Sequence, residues 1–258
     1  SCFEVVFWSC QDLGEVVNRT RKVPDTMTSR WISVPSADGR PFEAYVSEPA
    51  TGRGPGLLLI QEIFGVNEHI RAVADQYAAD GFVVIAPDIF WRESPRTDLA
   101  YDAVGFEKGL GLLSRLNVDL AAADLQRSVE AVKHLDSCTG LVGSVGFCMG
   151  GMLSFVAAAR AGVDTAVCYY GGGIDQHLDL VEDISCPLLF HFAERDAYIP
   201  NKAVQAVRQS LHGRDNVRIV MHPGVDHGFN CWRRPSWHQQ TAARARGQTL
   251  VHLSETLS

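Results

Sequence analysis

The stretch Leu141-Val142-Gly143-Ser144-Val145-Gly146-Phe147-Cys148-Met149-Gly150-Gly151-Met152 decides how the rest of the chain is read. Leu141, Val142 and Val145 mark a strand, a helix of small residues opens after Cys148, and the two meet at Gly146-Phe147-Cys148-Met149-Gly150. That is the Gly-x-nucleophile-x-Gly elbow with Cys in the place of Ser. The glycines serve a physical purpose. A sharp strand-to-helix turn strains its central residue, and flanking residues without side chains let neighbouring elements close in. The turn sets the thiol at a helix N-terminus, where free N–H groups and the dipole favour a thiolate. The bland alternative is a buried structural cysteine in a glycine-rich turn.

Strand-sized apolar runs recur on both sides of the elbow, at 57–61, 82–86, 165–170, 188–193 and 216–222. Helical spacing lies between them. Ile70, Val73 and Tyr77 share a face over 68–79, and Leu125, Val129 and Val132 share one over 119–135. Val204, Val207 and Leu211 do so in a helix opening near Pro200, and an Ala-rich helix closes the chain. Residues 91–117 are irregular, with one short helix near 100–112. Trp31–Val34 and Phe42–Val46 alternate about Asp38-Gly39, the pattern of a β-hairpin. Continuous apolar strands alternating with amphipathic helices predict an α/β fold: a mostly parallel central sheet with helices on both faces and an N-terminal hairpin. The reading gives one domain over 30–258 and an extension over 1–29 that is expected to be poorly ordered.

The chain has 258 residues, 46% hydrophobic and 21% charged, with a formal net charge of −7. An acidic balance without a basic cluster argues against nucleic acid and against an anionic membrane surface. No apolar run approaches the ~20 residues that span a bilayer. The seven cysteines are odd in number and form no Cys-x-x-Cys pair, so a disulfide scaffold and a zinc ribbon are disfavoured. A cytoplasmic protein, monomeric or weakly dimeric, is the expectation.

A nucleophilic cysteine needs a base and a group to orient that base. His191 and His222 fall within strands, and most other histidines fall on helices. His227 instead follows the last strand, in the turn-rich Pro223-Gly224-Val225-Asp226-His227-Gly228-Phe229. Asp196 holds the equivalent place after the strand 188–193. Cys148, Asp196 and His227 therefore all lie beyond the C-terminal ends of strands, where open α/β sheets build their sites. Asp226 is the rival acid, but neighbouring loop residues rarely pair as base and orienter.

With these residues in view the sequence resembles the dienelactone hydrolase family of α/β-hydrolases, the carboxymethylenebutenolidase-like enzymes. The match runs from about 31 to 253. It is carried by Gln61-Glu62-Ile63-Phe64-Gly65-Val66-Asn67, the Cys elbow, Tyr169-Tyr170-Gly171, Asp196 and Asp226-His227-Gly228-Phe229. The resemblance implies Cys148 as nucleophile, His227 as base, Asp196 as its orienter and Glu62 beside the thiol. It implies the backbone N–H groups of Ile63 and Met149 as an oxyanion hole, with Arg92 and Tyr169 contacting a carboxylate-bearing ester or lactone. It further implies that Glu62 suppresses the free thiolate until substrate arrives. No metal and no organic cofactor are implied. One departure stands out. The second arginine of the pattern His-Ser-Phe-x-Arg is replaced here by Cys231, with Arg233 and Arg234 close by but out of register. The alternatives are a carboxylesterase, thioesterase or peptidase using the same triad, and a non-catalytic binding protein that has kept the pocket.

Overall fold

The computed structural model describes residues 26–258. Most of the expected extension, residues 1–25, lies outside the described residues, and the first strand begins at Thr28. The strands are β1 (Thr28–Pro35), β2 (Pro41–Glu48), β3 (Gly54–Ile60), β4 (Val83–Pro87), β5 (Cys138–Phe147), β6 (Thr165–Tyr169), β7 (Leu188–Ala193) and β8 (Val217–His222). The helices are α1 (Glu68–Ala79), α2 (Ala103–Leu113), α3 (Val118–Lys133), α4 (Met149–Arg160), α5 (Asn201–Ser210) and α6 (Gln239–Thr256). Two short 3-10 turns, Ile174–Gln176 and Leu178–Asp183, lie between β6 and β7 and have no counterpart in the sequence reading.

The eight strands form one sheet in the order β1-β2-β4-β3-β5-β6-β7-β8. The hairpin turns where expected, pairing Trp31 with Tyr45 and Val34 with Phe42, and β2 runs antiparallel to β4. All other pairings are parallel. Strands covered on both faces must be apolar throughout, which accounts for the unbroken buried runs Leu57–Ile60 and Val83–Ala86. The apolar stripes Ile70-Val73-Tyr77 of α1 and Leu125-Val129-Val132 of α3 are buried. Helices α3 and α4 pack together. On the opposite face Arg246 of α6 reaches Asp80 at the end of α1 and lies over the Tyr77 ring. Side-chain caps fix the helix starts, as where Asn67 Oδ1 accepts from the Ile70 N–H at 3.1 Å.

Strand order reverses around β3 and β5, so the loops leaving them diverge and open a crevice at the C-terminal edge of the sheet. The segments after β3, β5, β7 and β8 carry Glu62, Cys148, Asp196 and His227 to that edge. The described helices include none long and apolar enough to cross a membrane.

Candidate active site

Cys148 is the N-cap of α4 and has φ 57° and ψ −118°. A non-glycine residue in this region costs on the order of 1–3 kcal/mol and persists only where its surroundings hold it. Here the Cys148 N–H donates to the Tyr169 carbonyl at 3.0 Å, and its own carbonyl accepts from the Gly151 N–H at 2.9 Å. The turn closes only because the elbow lacks side chains. A Cβ on Gly146 would collide with the Gly150 carbonyl, and one on Gly150 with those of Ile60 and Gln61.

The His227 ring is held by Asp196. Nδ1 lies 2.8 Å from Asp196 Oδ2, and both side chains are almost wholly buried. Asp196 is itself fixed, since its Oδ1 accepts from the N–H groups of Tyr198 (2.9 Å) and Ile199 (3.1 Å). On its other side His227 lines one cavity with Cys148. Burial alone would lower the His227 pKa. The charge of Cys148 beside it, with the hydrogen bonds to Asp196 and Cys148, instead pushes it up to about 10. Asp226, the rival acid, lies at the rim of an adjoining cleft.

Cys148 and His227 open on a cavity of ≈ 380 Å³ that is also lined by Ile63 and Met149. An arginine reaches this cavity as well, and it is Arg234. Its Nη2 lies 3.1 Å from Glu62 Oε1, while Glu62 Oε2 accepts from the Tyr101 hydroxyl at 2.7 Å. Burial opposes the guanidinium charge, but the neighbouring Glu62 carboxylate keeps Arg234 firmly protonated. Glu62 is thus a buried counter-ion directed at Arg234 and Tyr101. Arg233 points outward to Glu68 at 2.7 Å.

Two residues implied by the resemblance stand away from the cavity. Arg92 makes a two-pronged ion pair with buried Asp124 of α3, with Nη2 3.1 Å from Oδ1, and stacks over Trp91 at 4.2 Å. Trp91 Nε1 donates to the same carboxylate at 2.9 Å. Tyr169 is fully buried beneath the elbow, its hydroxyl 2.7 Å from Thr249 Oγ1. The ring beside His227 belongs to Tyr170, at 4.9 Å, and its buried hydroxyl has no hydrogen-bond partner. We expect Arg92→Ala to lower stability by about 3 kcal/mol, because it strands Asp124 as a buried charge. Its turnover of anionic and neutral esters should change equally. Thermal melting and paired kinetics check both points.

Arg234 and Tyr101 were within reach of the sequence only in part. Arg234 was flagged as one of two displaced arginines. Tyr101 sits in the irregular stretch, where no periodicity assigns a direction to a side chain.

Glu62, His69 and Cys231 place donor atoms within 4.8 Å of one another, the one group of the described residues with the donor set for a metal. The Arg234 guanidinium already neutralises Glu62, and an ion there would meet that fixed positive charge. Burial, reinforced by Glu62, pushes the Cys231 thiol up to about 12, so it stays protonated.

The profile of the dienelactone hydrolase family matches residues 42–257. The chain belongs to the dienelactone hydrolase family. It is 30% identical to carboxymethylenebutenolidase 1 of Cupriavidus pinatubonensis and to the carboxymethylenebutenolidase of Pseudomonas putida, in each case over 88% of this chain and 97% of the relative. Among solved structures, a candidate dienelactone hydrolase from Klebsiella pneumoniae superposes with TM-score 0.78 at 28% identity, covering 89% of this chain and 99% of that one. The dienelactone hydrolase from Anabaena variabilis, 17% identical with TM-score 0.67 over 90% of this chain and 99% of that one, shares the fold. As a dienelactone hydrolase family member the protein is a hydrolase of esters or lactones, and its sheet is the α/β-hydrolase sheet.

Proposed function

We propose that the protein hydrolyses a carboxylate-bearing ester or lactone through a thioester on Cys148. The observation that carries the reading is the strained Cys148 at the start of α4, sharing one cavity with a histidine that Asp196 holds at 2.8 Å. In the first half-reaction the Cys148 thiol passes its proton to His227 as Sγ forms a bond to the carbonyl carbon. The oxygen takes the electron pair and is met by the N–H groups of Ile63 and Met149. Collapse expels the alcohol oxygen, which takes its proton from His227. Water then attacks the thioester with His227 as base, and the acid leaves as the thiol is restored. Asp196 keeps Nδ1 of His227 occupied, so Nε2 faces the reaction.

Arg234 takes the place assigned earlier to Arg92 as receiver of the substrate carboxylate. Glu62 orients that guanidinium and balances its charge until an anionic substrate shares it. A working thiol of this kind needs a reducing compartment, the cytoplasm by this reading, and the described Cys138, Cys148, Cys168, Cys186 and Cys231 are all free. A charge-assisted pair is worth ~1.5–3 kcal/mol. Arg234→Gln should therefore lower kcat/KM for a carboxylate-bearing ester by a further roughly tenfold to hundredfold relative to a neutral ester of similar size. Equal loss on both substrates would remove Arg234 from the binding site. The thioester is tested by quenching a reaction with an activated acetate ester and measuring intact mass. One acetyl group on Cys148 is the expected product.

A further inference from the structure

The cavity at Cys148 continues along two arms with different linings. Phe106 of α2 and Tyr198 of the loop after β7 face each other across it, ring centroids 6.2 Å apart, and both border each arm. One arm runs beneath α2 and is walled by Leu110, Leu113, Val118 and Met152, with Cys148 and Met149 at its base. The other is lined by Phe64, Tyr101, Asp102, Asp226 and Pro235, without Cys148 or Met149. His227 and Arg234 border both arms.

The reaction itself assigns a direction to each arm. His227 borders both arms and Cys148 only the first, so an alcohol leaving the tetrahedral intermediate takes its proton from His227 while departing into the second arm. The acyl group stays on Cys148, at the base of the aliphatic arm. The register between this arm and the oxyanion donors is fixed. Helix α2 packs so closely on the loop after β3 that a Cβ on Gly109 would lie 2.7 Å from the Ile63 carbonyl oxygen. At the open end of this region Leu110 and Tyr198 are exposed, at 43% and 61%, apolar surface that a chain lying in the arm would cover.

We infer that the acyl part of the substrate is an aliphatic chain of medium length seated beneath α2, in the arm that alone holds Cys148, with the alcohol part in the other arm. This deepens the thioester reading of Cys148 and rests on it. Each methylene moved from water into the arm multiplies kcat/KM by roughly two- to fourfold.

The test is a series of p-nitrophenyl esters from acetate to octanoate with the full-length protein, beside the isomeric pair methyl hexanoate and hexyl acetate. Hexanoate should exceed acetate in kcat/KM by tenfold or more, and methyl hexanoate should exceed hexyl acetate by a similar factor. Leu113→Trp and Val118→Trp, both at half-buried positions that tolerate a larger side chain, should each cut the hexanoate-to-acetate ratio at least tenfold. A flat or falling series in the wild type overturns the inference. So does preference for hexyl acetate, which would place the chain on the alcohol side. An acetyl adduct on Cys148 in the same experiment keeps such a failure separate from failure of the thioester reading, which its absence with every ester would signal.

Discussion

The Cys148→Ala variant should fold with an unchanged melting temperature and lose turnover by about 10⁴-fold or more. The first half follows from geometry. Alanine keeps the Cβ, so the φ of 57° is no harder to hold than before. The bonds that hold it, from Cys148 N–H to the Tyr169 carbonyl and from the Gly151 N–H to the Cys148 carbonyl, run through the backbone alone. The second half follows from chemistry. Without sulfur no thioester forms, and what remains is the residual advantage of placing an ester near two N–H donors and a histidine. Cys148→Ser should retain only a trace, since a hydroxyl gives up its proton far less readily than a thiol. Cys168→Ala serves as a control. Cys168 is fully buried in β6, where burial pushes its thiol well up, so its loss should lower stability and leave turnover near wild type. Turnover of Cys148→Ala within tenfold of wild type would refute the nucleophile.

How much of this was legible beforehand depends on whether the relevant signal is local. The stripes of α1 and α3 and the apolar runs of β3 and β4 are repeated patterns, and packing only confirms what their period demands. The elbow is legible because three glycines and a thiol within six residues leave few other structures available. His227 and Asp196 could be picked out because each follows a strand, and parallel strands deliver their ends to one edge. Arg92 shows where local reading stops. Its motif predicts a substrate contact, yet its partner Asp124 lies 32 residues away on α3, a carboxylate whose burial nothing near Arg92 foretells. Arg234 is the converse case. Seven positions beyond His227, it reaches the cavity through the turns that begin at Gly228, whose φ of 79° bends the chain back toward Glu62. The identity of an arginine was readable, but not the direction in which a loop would aim it. Tyr169 and Tyr170 divide the same way. Strand alternation sends neighbouring side chains to opposite faces, but Tyr170 leaves β6 with φ 36°, outside strand geometry, and so turns toward His227.

Replacing His227 by alanine should lower steady-state turnover by roughly 10³-fold or more and, with an activated acetate ester, leave one acetyl group on Cys148. The reason lies in what raises its pKa to about 10. Burial works against the charged ring, and among the influences that overcome it the charge of Cys148 comes first, ahead of the hydrogen bonds to Asp196 and Cys148 itself. The ring therefore readily takes the proton that Cys148 gives up on attack and is set to hand it to the leaving alcohol. Once Cys148 is acylated, its influence on the ring is gone. Burial then counts for more, the pKa falls, and a ring that has given up its proton can act as base toward water. One histidine serves as acid in the first half-reaction and base in the second because it gives its proton to the alcohol in the first and meets water without one in the second. Without the imidazole an activated ester can still acylate the thiol at mildly alkaline pH, but hydrolysis of the thioester lacks its base, so the adduct accumulates. The sign of the stability effect is also determined. The folded pKa lies above the unfolded value near 6.5, so the His227 contribution is complete below about pH 6.5 and is lost as pH rises through about 10. The wild-type melting temperature should fall over that alkaline window more steeply than that of His227→Ala. Turnover within tenfold of wild type, or rapid loss of the acetyl group from the variant, would remove His227 from the deacylation step.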